Sequence, residues 1–448
     1  VFQKTKRSYF SYIDQNHIVK YLFSYISVIL LLSACQKKEN PIVEQSFIDS
    51  LIQHYTLSKA ELTNRDDLIF WQKRMDSIPD NFSNGPKYAS ALASRFRLYG
   101  DIHDLLKADS LIKESNMVNQ EKEGDIFLSM AAFAIQQHQF NQAATFVDKA
   151  KKISDNKYGI ILSQFDVAFE TGLYQWALTT LKALGDDRSY GYFFRKAKYE
   201  HYSGSLDSAI SCMLKAAGKA TASVALKQAA LSNAADLCVH KGDLQQAYAL
   251  YKKSIELDAA DHHSLTGIGW IALVHEKNDS LAEKIFSFVQ QHTKSPDILL
   301  KMEQLAEFRK DSITIKKYAE EFVAQASNQL LYGNMYNKYL IGLYVGVLND
   351  PAKAVIIAEQ ELKNRSTPQT NAWYAWALLQ NNEKEKAASI FRSSVSGKPL
   401  EGLELYYMGK LMQNMDKGYN AEQYFKAAYK NRYDLNPEQV RDLEKNLE

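Results

Sequence analysis

The chain has 448 residues with 46% hydrophobic content, enough for a buried core, and only 19 Gly and 8 Pro, sparse punctuation that fits a mostly helical protein. Its 54 basic and 52 acidic residues give a formal charge of +2, a balance that disfavours a polyanion partner, so nucleic acid is not expected. A chain of this length holds two or three ordinary domains, or a single body if it is built from stacked repeats.

At the N-terminus, Lys4, Lys6, Arg7 and Lys20 precede an apolar run, Tyr21 to Leu32, that is too short to span a bilayer comfortably. The run ends Leu32-Ser33-Ala34-Cys35 and gives way at once to polar Gln36-Lys37-Lys38-Glu39-Asn40. Small residues before a cysteine in this setting resemble the lipobox of Gram-negative lipoprotein signal peptides. The resemblance implies a signal peptide over 1–34 and a mature chain that starts at Cys35. It also implies a diacylglycerol on that thiol, a membrane tether worth about 0.8 kcal/mol per buried methylene. No Asp follows Cys35, which in the sorting rule of such lipoproteins points to the outer membrane; the side on which the body lies is open.

Residues 35–86 read as a lipidated tether and N-terminal capping helices. The pattern predicts one amphipathic helix from Pro41 to about Ser58 and another from Asp66 to Ser77, with Leu68, Ile69, Trp71 and Met75 on its apolar side. Asn, Ser, Gly and Pro between Pro79 and Pro86 mark a loop.

From Lys87 an alanine recurs at Ala108, Ala143, Ala177, Ala209, Ala247, Ala282, Ala319, Ala354, Ala387 and Ala421, at intervals of 32 to 38 residues. The unit Ala229 to Asp261 shows the pattern whole: two short helices flank a Gly242-Asp243 turn, with small Ala235 twelve residues before Ala247, bulky Tyr251 four after it and small Ser254 seven after it. Similar turns stand at Gly100-Asp101, Gly172-Leu173, Gly204-Ser205 and Asn278-Asp279. This resembles the tetratricopeptide repeat, in which small residues let paired helices touch while one large side chain fills the groove between them. The resemblance implies an all-α, right-handed superhelical solenoid of about ten helix-turn-helix units over 87–433. Some units depart from the pattern: Phe165 stands at the small position near Ala177, Glu361 follows Ala354, and extra residues enter the turns around Ala108, Ala282 and Ala319. The final stretch, 434–448, opens with Asn436-Pro437-Glu438-Gln439, a helix start, and is expected to cap the last repeat.

Catalytic spacing is absent from the sequence: there is no Gly-rich phosphate loop, HExxH, CxxC or GxSxG, and His262-His263 lack further ligands at metal spacing. An enzyme, a cofactor and a metal are therefore not expected. Cys212 and Cys238 fall on neighbouring helices, where either a disulfide or two small apolar side chains fit.

The repeat resemblance implies a concave groove lined by the first helix of each unit, where ligands bind. Counting back from the anchors places Phe194, Lys198, His201 and Tyr202 there, then Asp236, His240 and Trp270. Tyr336, Tyr339, Trp376, Tyr406 and Lys410 follow on the same face. Rings interleaved with polar groups suit an extended peptide or a sugar chain, whereas the competing reading packs the same rings between helices. A carboxylate clamp needs Lys, Arg and Asn from three consecutive units, and here Lys198 and Asn233 stand alone. The expected function is thus a non-catalytic envelope scaffold or adaptor, membrane-tethered, with a protein or peptide in its groove and an extended surface rather than a deep pocket. The alternatives are a surface glycan-binding lipoprotein, disfavoured by the regular repeats and short loops, and an accessory subunit of an outer-membrane or peptidoglycan assembly machine.

Overall fold

Two alanines facing each other across a helix pair set the spacing of the whole array. In the computed structural model, which describes residues 41–78, 83–185, 188–415 and 420–448, Ala235, Ala247 and Ser254 expose no surface and Tyr251 is fully enclosed beside them. Gly267 of the next unit completes the fit, since a Cβ there would stand 2.3 Å from the Tyr251 ring. The same contact recurs along ten helix pairs, from Asn84–Tyr99 with Ile102–Val118 to Gly402–Gln413 with Ala421–Lys430. Every anchor from Ala108 to Ala387 is wholly buried. No strand occurs among the described residues. The chain is an all-α solenoid of tetratricopeptide type. The expected signal peptide over 1–34 and the expected lipidation site Cys35 lie outside the described residues.

The departures from the repeat pattern have physical causes. Gly100, Gly172, Gly204 and Gly242 take the left-handed conformation at their turns, with φ between 70° and 83°, but His138, Lys277, Lys310, Asn349 and Asn382 adopt it without glycine elsewhere. Ser394, expected at the small position after Ala387, is only half-buried. A π-helical segment, Phe391–Val395, inserts one residue and turns Val395 into the core instead. Phe165 fills its enlarged site as the centre of a small apolar cluster with Ala168, Ala177 and Leu181. Glu361 is buried, and it is there to meet Arg365.

The expectation of an open solenoid with extended surface is corrected. Successive turns of the superhelix rest on each other. The Tyr99 carbonyl accepts from Lys294 N–H at 2.6 Å and from Thr293 Oγ1 at 3.1 Å. His262 Nδ1 meets the Leu98 carbonyl at 3.1 Å, Asn364 Nδ2 donates to the His138 carbonyl at 2.9 Å, and Lys294 pairs with Asp101 at 2.7 Å. These partners are separated by 164 to 226 residues, about five to seven repeat units per turn. One apolar cluster accordingly contains both Leu68 to Ala150 and Leu299 to Leu443, stretches that nothing local in sequence could join.

Both ends of the described array cross between turns. Helix Lys59–Ser77 begins at Ser58 rather than Asp66, because Ser58 and Glu61 form a capping box. Helix Gln45–Gln53 is shorter than the expected Pro41–Ser58 and docks far downstream. Val43 N–H donates to Glu276 at 2.9 Å, Glu44 N–H to the Tyr248 hydroxyl at 3.2 Å, and Asp49 pairs with Lys284 at 2.6 Å. The last helix, Pro437–Lys445, carries the capping box Asn436–Gln439 and lies on the last pair and on helix Asp297–Arg309 alike. Cys212 and Cys238 are free, buried thiols. Among the described residues, no helix is long and apolar enough to cross a membrane.

Arg365 concentrates the contact between turns. Its Nε donates to Glu361 at 2.6 Å, its terminal nitrogen reaches Glu170 of the preceding turn at 3.3 Å, and its guanidinium lies 5.1 Å from the Phe140 ring centroid. Arg365→Met leaves buried Glu361 without its cation and Glu170 with Lys198 alone, and urea unfolding is expected to show a loss of about 3–5 kcal/mol. A loss below about 1 kcal/mol would mean that the pair does not hold the turns.

Candidate functional site

Stacking the turns forms a half-open cavity of about 1350 Å³, walled by the first helices of several units and by helix Pro437–Lys445. Its aromatic wall comes from four units. Trp270 Nε1–H donates to the Tyr433 carbonyl at 3.1 Å, and the Lys301 ammonium stands 4.0 Å from the Trp270 ring centroid. Trp376 lies flat on Tyr407, with centroids 4.7 Å apart and planes within 6°. Tyr339 is 43% exposed. The π-helical segment Ile271–His275 directly follows Trp270 and ends the helix that presents it.

Seven of the residues placed on the groove from sequence line this cavity: Asp236, His240, Trp270, Tyr339, Trp376, Tyr406 and Lys410. Tyr406 is nevertheless a packed ring, its hydroxyl donating to Asp442 at 2.7 Å, and Lys410 pairs with the same carboxylate at 2.9 Å. Lys198 and Tyr202 line a separate cleft of about 730 Å³. There Lys198 pairs with Glu170 at 2.8 Å and Tyr202 stacks on Tyr174 at 3.6 Å. Phe194 and Tyr336 face neither space: Phe194 stacks on Tyr190 at 5.5 Å, and Tyr336 is buried with its hydroxyl on Asp297 at 3.1 Å.

Sequence reasoning missed helix Asp297–Arg309, which supplies Lys301, Glu303 and Glu307 to the wall. The available signal was two carboxylates one helical turn apart on a first helix, obscured by the extra residues before Ala319. Burial, with the charge of Glu438 added, raises the Glu303 carboxyl to about 7. Burial together with Glu303 and Glu438 raises Glu307 to about 9. Burial lowers the Lys301 ammonium to about 8.

Two histidines face carboxylates. The charge of Asp236, 2.9 Å from His263, raises that imidazole to about 9; Asp236 also accepts from Tyr251 at 2.5 Å. Burial would lower His240, but the hydrogen bond and charge of Asp434, 2.7 Å away, overcome it and raise His240 to about 9. Both are therefore imidazolium cations at neutral pH, poorly suited to act as bases. Among the described residues, no group of three or more His, Cys, Asp or Glu is placed to hold a metal ion.

No protein-family model matches the chain, and no curated protein does. Solved structures show partial likeness. A structure of Pseudomonas aeruginosa PilF is 15% identical over 49% of this chain and 99% of its own, with a TM-score of 0.36. The human IFIT1 dimer with PPP-AAAA is 13% identical over 69% and 71%, with a TM-score of 0.46. A tetratricopeptide repeat protein from Parabacteroides merdae is 17% identical over 61% and 98%, with a TM-score of 0.34.

The His240–Asp434 pair ties the C-terminal segment to the preceding turn. An imidazolium whose folded pKa exceeds its unfolded value contributes stability that is complete below about pH 6.5 and lost as pH rises through about 9. His240→Gln is therefore expected to lower stability by on the order of 2 kcal/mol at pH 6, the deficit shrinking toward pH 9.5. Thermal melts across this range check it, and a deficit independent of pH would contradict it.

Proposed function

We infer that this chain is a non-catalytic interaction protein that takes an extended segment of a partner protein into its central cavity. The cavity carries the reading. At about 1350 Å³ it exceeds the roughly 300–1,000 Å³ of ordinary small-molecule pockets, and it combines partly open rings with charged groups. Rings such as Tyr339, Trp270 and Trp376 cover apolar surface of a bound chain at little entropic cost, and polar neighbours fix its register. The sequence supplies the setting: lipidation at Cys35 would tether the protein in the cell envelope, with the outer membrane as its place.

The test places a photo-crosslinking residue at Tyr339, inside the cavity, and at Ile356, which is 56% exposed on helix Pro351–Asn364, away from the cavity lining, in cells of the native host. A discrete protein cross-linked from position 339 alone, through one contiguous segment, is the expected result. Trp270→Ala/Trp376→Ala should lower the yield at least tenfold. Equal labelling from both positions, or none from 339, would overturn the cavity as a partner site, and retention on a glucan, mannan or chitin column would redirect it to glycans.

A further inference from the structure

The cavity wall is unevenly neutralised. Three of its carboxylates have a cation at hand: Asp236 has His263, Asp434 has His240, and Asp442 has Lys410. Glu303 and Glu307 do not. They lie one turn apart on helix Asp297–Arg309, both more than nine-tenths buried, and both border the cavity. Glu303 has no hydrogen bond or ion pair among the described residues. Glu307 Oε1 accepts from Asn436 at 3.2 Å, while its Oε2 meets no donor. Glu438, at the start of the facing helix, adds a third carboxylate that is exposed and so leaves the group accessible. Lys301, the cation that acts on Glu303, is directed elsewhere, donating to Gln304 at 3.1 Å and lying over Trp270, and Arg441, which acts on Glu307, forms no ion pair with it.

A buried acceptor without a donor, as Glu307 Oε2 is, costs about 1–3 kcal/mol and more when charged. An ammonium or guanidinium supplies the missing donors and the missing charge together. We propose that Glu303, Glu307 and Glu438 form a subsite for one lysine or arginine side chain of the segment held in the cavity, with Trp270 beside it. This rests on the reading of the cavity as a partner site and specifies what that site selects.

The empty site has a chemical signature. Glu303 and Glu307 hold protons near neutral pH, because burial and mutual repulsion disfavour their charged forms; Lys301 and Arg441 are the cations that act against this. A docking cation reverses the balance, lowers both carboxyls and releases their protons to solvent.

The experiment selects a random decapeptide library, displayed on mRNA, against the immobilised full chain and against its E303Q/E307Q variant. The wild type is expected to enrich peptides with lysine or arginine at one fixed position, and the variant to lose that enrichment. The leading peptide should bind the variant at least tenfold more weakly, and its lysine-to-norleucine form should bind wild type more weakly to a similar degree. Calorimetry at pH 7.5 in phosphate and in Tris should show proton release with wild type and none with the variant. Gln is close to Glu in shape and removes repulsion, so the variant should fold; E438Q, on the exposed side, provides a second, milder test of the same loss. Enriched peptides without a basic position, or with equal affinity for wild type and variant, would overturn the cation subsite and leave the partner site standing. Failure to enrich any peptide would overturn both.

Discussion

The architecture depends on one contact: the end of helix Asn84–Tyr99 resting on the loop after helix Asp279–His292. The last carbonyls of an α-helix lack intrahelical donors. Here Leu98 and Tyr99 receive theirs from His262, Thr293 and Lys294, one superhelical turn later. Gly100 allows the approach, since a Cβ at that position would stand 2.6 Å from Ser295. A repeat array is otherwise quasi-one-dimensional, each unit touching only its neighbours. Contacts between turns add a second dimension, so opening one turn costs more than separating two adjacent units, and the interior becomes a partly enclosed space.

Enclosure governs the chemistry of the interior. Groove-lining charges that would be solvated in an open solenoid lose water when the turns close, and each must find a partner or change its protonation. Glu404, with no exposed surface, accepts from Trp373 Nε1 at 2.6 Å and lies 3.8 Å from Lys338, yet burial still raises its carboxyl above the usual range. Glu170 takes the other course: burial opposes its charge, but Lys198 and Arg365 keep its carboxyl below that range. Glu303 and Glu307 have no cation paired with them and respond by holding protons near neutral pH, which is why the interior is chemically uneven and why its vacant capacity is for a cation. The C-terminal helix belongs to the same arrangement. It caps the final pair and also forms one wall, through Asn436, Glu438 and Asp442.

Much of the fold was legible because it is periodic. Ala143, Ala247 and Ala354 mark a small side chain at the fourth position of a second helix, and nothing but close helix packing demands that spacing. Even Glu361, an irregularity in the pattern, marked a feature of the structure, a buried ion pair with Arg365, the residue that bridges the turns. Stacking of the turns was not legible, because its partners lie more than 160 residues apart and follow no period. The site was half legible for the same reason. Tyr336 and Tyr339 look equivalent in sequence, but Tyr336 precedes its helix and turns toward Asp297, whereas Tyr339 remains on the open face. The acidic pair went unseen where inserted residues shifted the repeat register, and the Ser58–Glu61 capping box was readable in principle but overlooked beside the apolar pattern that follows it.

The most direct test is hydrogen exchange at the Lys294 amide, resolved to that single residue by electron-transfer fragmentation. Lys294 lies between helices Asp279–His292 and Asp297–Arg309, so no helical bond protects it, and its N–H donates across the turn to Tyr99. A closed superhelix predicts protection at Lys294 comparable to that of the helix interiors on either side. Exchange at the rate of an unstructured loop, with those helices still protected, would mean that the turns stand apart in solution and that the cavity does not exist as a closed site.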